Sequence, residues 1–278
     1  RPELDGTKFR WSKAAVLSRQ VELDAEGHLP EGTKVVVPGF DLLNHDASGE
    51  PNCEFQVEAE AAPGAPPCMV VRAARPVAAG EELFISYGPL PNASLLISHG
   101  FVVQDNPFDC VEMILTFPVP PERRPWLRGL EAAAEGLAVA GVAPFEVIVD
   151  GGDDAEAAFE YSMRHNLTRA VPLPRTILGA VRLQVFPTGE LPPQAAASSP
   201  DEGLCAAPGG LEASREQLAM ERLGQILRGL LAGHPTTAAE DSELLRSSAG
   251  LPARQRMAAV VRLAEKEILA AALAALGA

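Results

Sequence analysis

The hydrophobic pattern of the chain changes its period near residues 105–110, and this change most constrains the fold. Before it, short apolar segments such as 35–37 and 83–86 end at Gly or Pro, which is typical of β-strands separated by turns. After it, apolar residues recur at spacings of three and four, as over 211–233 and 252–276, which predicts amphipathic helices. The sequence therefore predicts an α+β protein.

Two domains follow from this change of pattern. We predict a β-rich domain over residues 1–107 and an all-helical domain over residues 108–278. Within the second, residues 187–210 are rich in Pro, Ala, Ser and Gly, which predicts a disordered insertion. Residues 236–240 begin with hydroxyl side chains and continue to an acidic residue, which predicts the start of a new helix.

Local signals in the first domain are specific enough to predict single elements. Segments 53–57 and 69–71 predict the two strands of a hairpin, with 61–67 as its loop. Residues 92–99 predict a short helix that ends at Gly100, because glycine readily adopts the left-handed conformation of a helix C-cap.

Composition and charge narrow the classes of function. The net charge of −14 repels phosphate backbones, so we expect a basic partner rather than a nucleic acid. No run of 18 apolar residues occurs, so no membrane span is predicted. The four cysteines form no CxxC pair, so neither a zinc site nor a disulfide framework is predicted. The chain starts at Arg1 with no apolar signal segment after it, and we expect its front to be trimmed or incomplete.

Two polar clusters at the ends of apolar segments carry the functional signal. The first is FDLLNH at 40–45, in which Asn44 and His45 must find hydrogen-bond partners if they are buried. They either complete a turn or orient a polar ligand. The second is GEELFISYG at 80–88, in which Tyr87 ends a strand just before Gly and Pro, so its hydroxyl is expected at a rim.

In this order the clusters resemble the C-terminal half of a SET domain, in particular that of the Rubisco large-subunit lysine methyltransferase group. In that group the Asn-His motif reads DLxNH, here residues 41–45, and the tyrosine motif is followed by a helix of NAEL type, here residues 92–95. The resemblance continues into the substrate-binding domain of the group. It is carried there by 172–174, 235–237, 240–241, Arg262 and 265–266.

The resemblance implies a protein-lysine N-methyltransferase that uses S-adenosylmethionine. Asn44 and His45 would lie against the adenine end of the cofactor. Tyr87, as the catalytic residue, would lie beside the sulfonium methyl at the mouth of the lysine channel. No metal is implied, and the expected partner of this monomer is a protein that bears the target lysine.

The resemblance also implies a set of substrate-binding residues. Phe101 matches a position that lines the lysine channel, and Arg19 and Asp41 match positions that contact substrate in the plant enzymes. His99 stands where the plant enzymes carry a second tyrosine, and it is expected to bind substrate because a histidine can hydrogen-bond a substrate amine. Protein-histidine methylation, as in the actin-directed members of the group, is the alternative activity.

One part of the family pattern is absent. Residues 1–34 contain no glycine-rich cofactor loop, so half of the cofactor pocket is expected to be missing from this chain. Either the chain is a fragment or it is a pseudoenzyme that binds a protein partner. The closest resemblance favours the chloroplast stroma, with nucleus and cytoplasm as alternatives, and the sequence names neither the substrate protein nor the number of methyl groups.

Overall fold

The chain divides into two units, Arg1–Gln104 and Asp105–Ala278, where the sequence predicts a boundary at residue 107. A computed structural model gives the fold of each unit. It describes residues 5–23, 32–58, 68–119, 121–123, 126–127, 130, 145–150, 159–187, 189, 191, 203–205, 213–247 and 250–277.

The first unit consists of short strands between two helices. Its elements are α1 (Gly6–Leu17), β1 (Gln20–Glu22), β2 (Lys34–Val36), a 3₁₀ turn (Phe40–Leu42), β3 (Asn44–His45), β4 (Cys53–Glu58), β5 (Cys68–Ala73), β6 (Phe84–Ile85) and α2 (Asn92–Ser98). Strands β1 and β2 pair antiparallel, as do β4 and β5, whereas β3 and β6 pair parallel. The predicted hairpin is thus confirmed, although its loop 61–67 lies outside the described residues.

Side chains and a glycine set the limits of the two helices. Helix α1 begins after Asp5, whose carboxylate accepts a hydrogen bond of 2.9 Å from the Thr7 amide. Helix α2 ends at Gly100, whose φ of 81° is the left-handed conformation predicted for this position. The Gly100 amide donates to the carbonyl of Leu95 at 2.9 Å, which places residue 101 directly after the turn.

The second unit combines helices with an antiparallel sheet. Its elements are β7 (Cys110–Val119), a 3₁₀ turn (Pro121–Arg123), β8 (Phe145–Asp150), β9 (Phe159–Thr168), α3 (Arg175–Val185), a 3₁₀ turn (Gly203–Cys205), α4 (Ala213–Ala232), α5 (Ala238–Arg246) and α6 (Ala253–Leu276). The α+β class and the helices predicted over 211–233 and 252–276 are confirmed. The prediction of an all-helical second domain is wrong, because β9 pairs with β7 on one side and with β8 on the other.

A continuous apolar core fills the second unit. Strand β7 buries Met113, Leu115 and Phe117, which alternate along the strand, as expected for a sheet with one covered face. Helix α4 packs against both α3 and α6, these two helices also pack against the sheet, and together the three helices and the sheet enclose this core. Each fully buried Leu, Ile, Met or Phe side chain contributes about 1.5–3 kcal/mol to the stability of the folded state relative to an exposed side chain.

Two groups of buried charges lie among these helices. The Arg182 guanidinium of α3 binds both carboxylate oxygens of Glu216 in α4, and Arg182 also donates to the Leu204 carbonyl at 2.6 Å. Asp241 of α5 binds Arg262 and Lys266 of α6. Burial by itself would raise the pKa of Asp241, but the hydrogen bonds from its partners outweigh burial and lower this pKa to about 2.

Helix α5 begins as its sequence predicts. The hydroxyl of Thr237 accepts from the Glu240 amide at 3.2 Å, and the Glu240 carboxylate accepts from the Thr237 amide at 2.7 Å. This reciprocal pair is a capping box.

The prediction of a disordered insertion over 187–210 does not hold for 203–205. These residues form a 3₁₀ turn in which Leu204 and Cys205 are buried in the core of the second unit. The turn is held because the Leu204 carbonyl accepts from Arg182. Residues 192–202 and 206–210 lie outside the described residues. No helix in the described part of the chain is long and apolar enough to cross a membrane.

Candidate active site

The parallel pairing of β3 with β6 brings the two polar clusters together. Asn44 pairs with Phe84 and His45 with Ile85. The Asp46 amide continues the ladder by donating to the Ile85 carbonyl at 3.0 Å. Residues separated by about 40 positions in the sequence thereby become neighbours, with the β4–β5 hairpin as the connection between them.

A buried asparagine fixes the strand that carries Tyr87. Asn52 is 1% exposed. Its amide donates to the Glu82 carbonyl at 2.8 Å and its side-chain oxygen accepts from the Phe84 amide at 2.7 Å. Because a buried amide must satisfy both groups, these two bonds hold the start of β6 in one position.

A second buried asparagine fixes the segment that carries Phe101. The Asn92 side chain donates to the Val103 carbonyl at 2.8 Å and accepts from the Val103 amide at 2.7 Å. The turn at residues 99–101 is therefore closed onto helix α2. Neither role was predicted from the sequence, where Asn92 entered only as part of the helix motif at residues 92–95.

Tyr87 has its polar atoms committed to the Asn-His segment. Its hydroxyl donates to the Leu43 carbonyl at 2.8 Å, and its backbone amide donates to Nδ1 of His45 at 3.1 Å. Burial raises the pKa of Tyr87, so the phenol is neutral. Since its proton is directed at Leu43, the lone pairs of the phenol oxygen are available to accept from a ligand.

His45 is neutral as well. Nδ1 accepts a hydrogen bond, so the ring proton is on Nε2. Burial is the largest cause of the lowered pKa of His45. Asn44, next to it, has an exposed side chain whose amide donates to the Glu82 carboxylate at 2.7 Å.

Four rings from three segments meet around the tyrosine. The Tyr87 ring centroid lies 4.8 Å from His99, 5.3 Å from His45 and 6.3 Å from Phe101. His99 and Phe101 are 6.1 Å apart. We refer to these four side chains as the ring cluster, and their spacing is typical of packed aromatic groups.

A cavity of about 460 Å³ opens beside the ring cluster. Of the predicted site residues, Arg19, Asp41, Tyr87 and His99 line it, whereas the other three do not. Apolar residues such as Phe40, Phe55 and Ile85 supply much of its wall. A largely apolar cavity with a few converging polar groups is the usual form of a small-ligand or side-chain site.

Arg19 and Asp41 are coupled at the cavity. A guanidinium nitrogen of Arg19 lies 2.6 Å from the Asp41 carbonyl oxygen and 3.6 Å from the Asp41 carboxylate. The same carboxylate accepts from the Gly39 amide at 2.9 Å. The two residues thus form one polar group on the wall. Among the described residues, no three His, Cys, Asp or Glu side chains are grouped so as to hold a metal ion.

Two family models match the chain. Residues 5–88 match the SET domain, and residues 144–269 match the Rubisco LSMT substrate-binding domain.

Three related proteins each match less than two fifths of this chain. The ribosomal lysine N-methyltransferase set10 of Schizosaccharomyces pombe is 33% identical over 108 residues, which are 38% of this chain and 18% of that protein. SET domain-containing protein 4 of Mus musculus is 31% identical over 107 residues, 37% of this chain and 23% of that protein. The actin-histidine N-methyltransferase of Canis lupus familiaris is 29% identical over 110 residues, 38% of this chain and 17% of that protein. The matches thus span less than a quarter of each relative.

Solved structures extend the likeness to both units. The SET domain of LSMT bound to lysine and AdoHcy superposes with a TM-score of 0.61 at 20% identity, over 99% of this chain and 55% of that one. Rubisco LSMT bound to AdoMet gives a TM-score of 0.60 at 20% identity, over 97% of this chain and 54% of that one. At this identity the likeness shows the fold. The chain thus combines a SET domain, at residues 5–88, with a Rubisco LSMT substrate-binding domain, at residues 144–269.

Proposed function

We propose that this chain supplies the methyl-transfer site of an S-adenosylmethionine-dependent protein-lysine N-methyltransferase. The observation that carries the proposal is the position of Tyr87. Its neutral hydroxyl, bound to the Leu43 carbonyl at 2.8 Å, stands at the wall of a cavity with apolar sides. The relatives include a ribosomal lysine methyltransferase and N-lysine methyltransferase SETD6 of Homo sapiens, 30% identical over 79 residues.

The residues of the Asn-His segment fit an adenosyl group with a sulfonium centre. Asn44 has an exposed amide side chain that can hydrogen-bond the edge of a base, and His45 adds a neutral ring beside it. The Tyr87 hydroxyl and the Leu43 carbonyl bring two oxygens within 2.8 Å of each other, and partial negative charge of this kind suits a sulfonium methyl. When bound, the cofactor supplies an electrophilic methyl group.

The chain's own contribution to the reaction is orientation and deprotonation of the amine. A lysine amine has an unperturbed pKa of about 10.4, and apolar walls disfavour its ammonium form. Because Tyr87 is a neutral phenol with free lone pairs, it can accept from the incoming amine and align it. Alignment matters because methyl transfer requires an in-line approach to about 3–3.5 Å.

The substrate would contact the wall of the cavity. Arg19 and Asp41 form one polar group on that wall, and Phe101 belongs to the ring cluster beside the cavity. We propose that they hold the peptide around the target lysine. The net charge of −14 supports a basic protein substrate over a nucleic acid.

We further propose that the activity is divided between two domains, 1–107 and 108–278. The first would carry the chemistry and the second would dock the protein substrate. The second matches the Rubisco LSMT substrate-binding model over residues 144–269, which supports this division. We propose a monomer without membrane or nucleic-acid partners, and light scattering of the purified chain would detect a dimer.

Tyr87→Phe tests the proposed function directly. The substitution removes only the hydroxyl, and we expect methyl transfer to a lysine-peptide array to fall by at least about a hundredfold, since small losses of alignment have effects of this size. Transfer is measured with radiolabelled S-adenosylmethionine and the full chain. Tyr161→Phe, the same change at the only other tyrosine, in strand β9, should retain the activity.

Two further measurements complete the test. Calorimetry with S-adenosylmethionine should detect binding that Asn44→Ala weakens. Mass spectrometry of the modified peptides should place the methyl group on lysine, whereas methylated histidine would favour the activity named for the actin-histidine relative. A folded chain that neither binds the cofactor nor methylates any peptide would contradict the proposal. Full activity of Tyr87→Phe would contradict the role of the hydroxyl.

A further inference from the structure

His99 lies on the wall of the cavity, next to Tyr87. It is the C-cap residue of helix α2, is half-buried and lines the cavity. Its ring centroid is 4.8 Å from that of Tyr87. A group delivered to the Tyr87 hydroxyl through the cavity therefore passes close to the His99 ring.

The backbone carbonyl of Ser18, the C-cap residue of helix α1, fixes the tautomer of His99. Nδ1 lies 3.2 Å from the carbonyl oxygen of Ser18. A carbonyl oxygen only accepts hydrogen bonds, so Nδ1 must carry the ring proton. In the neutral ring, Nε2 is then an unprotonated acceptor. Among the described residues, no hydrogen bond to this atom competes with a ligand.

The other polar groups of the cavity are less suited to accept a proton. The Asp41 carboxylate is bound by Arg19 and by the Gly39 amide. Glu22 pairs with Lys34 at 3.6 Å. Each of these two carboxylates therefore already has a cationic partner on the same wall.

The remaining members of the ring cluster are also unsuited. The Tyr87 hydroxyl already directs its proton at Leu43. Nδ1 of His45 accepts from the Tyr87 amide, and His45 does not line the cavity. This leaves Nε2 of His99 as the nitrogen acceptor of the cavity among the described side chains.

We propose that Nε2 of His99 accepts the proton of the substrate ammonium before methyl transfer; this inference rests on the proposed function. An N–H bond of the ammonium breaks and its electron pair stays on the amine nitrogen. A new N–H bond forms at Nε2, and the ring becomes an imidazolium between Ser18 and the substrate. The amine now has the lone pair that attack on a methyl group requires, and the imidazolium returns its proton to water.

A spectroscopic experiment tests the proposal without any cofactor. The full chain is labelled with ¹⁵N-histidine and titrated with Nα-acetyl-L-lysine methylamide, with His99→Gln used to assign the His99 resonances. We expect a protonated Nδ1 and an unprotonated Nε2 in the free chain, and a shift of the Nε2 resonance towards its protonated position as the amine is added. A protonated Nε2 in the free chain, or an Nε2 resonance that the amine does not move, would overturn the assignment.

Kinetics supply an independent test. Since general-base catalysis contributes about 10²–10⁴-fold, His99→Phe should reduce kcat by about a hundredfold or more, with a smaller change in KM. Wild-type kcat should fall in acid as the imidazole protonates. His99→Gln retains a hydrogen-bonding side chain but cannot titrate, so this acid limb should disappear from its profile. His234→Gln, in the second unit, should keep the wild-type rate and profile.

These outcomes separate the inference from the function on which it rests. An active wild type that Tyr87→Phe inactivates, combined with an unchanged rate and pH profile in His99→Gln, would overturn the role of His99 alone. A wild type that transfers no methyl group would contradict the proposed function, and the ¹⁵N titration would still decide whether His99 accepts a proton from an amine.

Discussion

The first unit buries few side chains and keeps its ion pairs near the surface, whereas the second encloses a continuous core and two groups of buried charges. In the first, only Asn52, Cys53, Ile85, Asn92, Leu95 and Val103 are buried among the described residues. In the described part of the second, 23 buried apolar residues form one cluster. Two of the buried residues in the first unit are asparagines. Their hydrogen bonds hold chain segments together there, whereas apolar packing holds the second unit together.

This difference indicates that the second unit supplies most of the stability, whereas the proposed site lies in the first unit. The proposed site would have to keep polar groups accessible to a side chain and a cofactor, and Asn44, Tyr87 and His99 of the first unit are partly or fully exposed. Such groups limit how much apolar surface can be buried around them. The second unit faces no such requirement at α3 and α4, where even Arg182 is fully buried. We therefore expect substitutions in the second unit to change stability most, and substitutions at the cavity to change activity most.

The largest effect on stability is expected for Glu216→Gln. The change keeps the shape of the side chain but removes the charge that faces the buried Arg182 guanidinium. Loss of one partner of a buried ion pair costs about 3–5 kcal/mol in the free energy of unfolding. Urea unfolding followed through Trp126, which packs against the core, measures it. Glu221→Gln, an exposed position on the same helix, is the matched control, and equal effects of the two changes would break the comparison.

The next effect depends on pH and comes from His165 in strand β9. Burial lowers the pKa of His165 from 6.5 to about 3, so the folded state takes up a proton less readily than the unfolded state. The contribution of neutral His165 to the free energy of unfolding is therefore complete above pH 6.5. It declines as the pH falls towards 3, by at most about 1.4 kcal/mol per pH unit. His165→Leu should remove this decline.

The measurement for His165 is the difference in unfolding free energy between wild type and His165→Leu at several pH values. Carboxylates titrate in both proteins and cancel in this difference. As the pH falls from 7 to 4.5, we expect the unfolding free energy of wild type to decrease relative to that of His165→Leu. A difference that stays constant over this range would show that the imidazole is solvated and that the core of the second unit is more open than its burial indicates.

Local elements were predictable from the sequence because their signals are local. Apolar spacings of three and four predicted α4 and α6, and the hydroxyl before Glu240 predicted the cap of α5. The sheet of the second unit was missed. Residues 111, 113, 115 and 117 alternate as in a strand, but the partner strand β9 begins about 40 residues later, and nothing local indicates that pairing. The burial of Arg182 was also unpredictable, because charged residues are usually exposed.

The site was predictable in its residue types and not in its geometry. The resemblance named Asn44, His45 and Tyr87, and the register of β3 with β6 brings them together. The atoms that orient them carry no sequence signal. The Leu43 and Ser18 carbonyls, which bind the Tyr87 hydroxyl and the His99 ring, are backbone atoms, and any residue at those positions would supply them.

The smallest effect is expected for Glu58→Gln on the hairpin of the first unit. This is the same chemical change as Glu216→Gln, and the carboxylate partner is again an arginine, here Arg72. Hydrogen bonds from Arg72 and then Gln56 lower the pKa of Glu58, so any contribution is present at neutral pH and is lost as the pH falls through that lowered value. Because both side chains are in contact with water, solvent replaces most of what the pair supplies. Amide hydrogen exchange of β4 and β5 should therefore be unchanged in the variant at pH 7. If exchange in these strands accelerated as much as Glu216→Gln accelerates it in α3 and α4, surface ion pairs would stabilise the first unit, and its open site would coexist with a rigid rather than a loosely held frame.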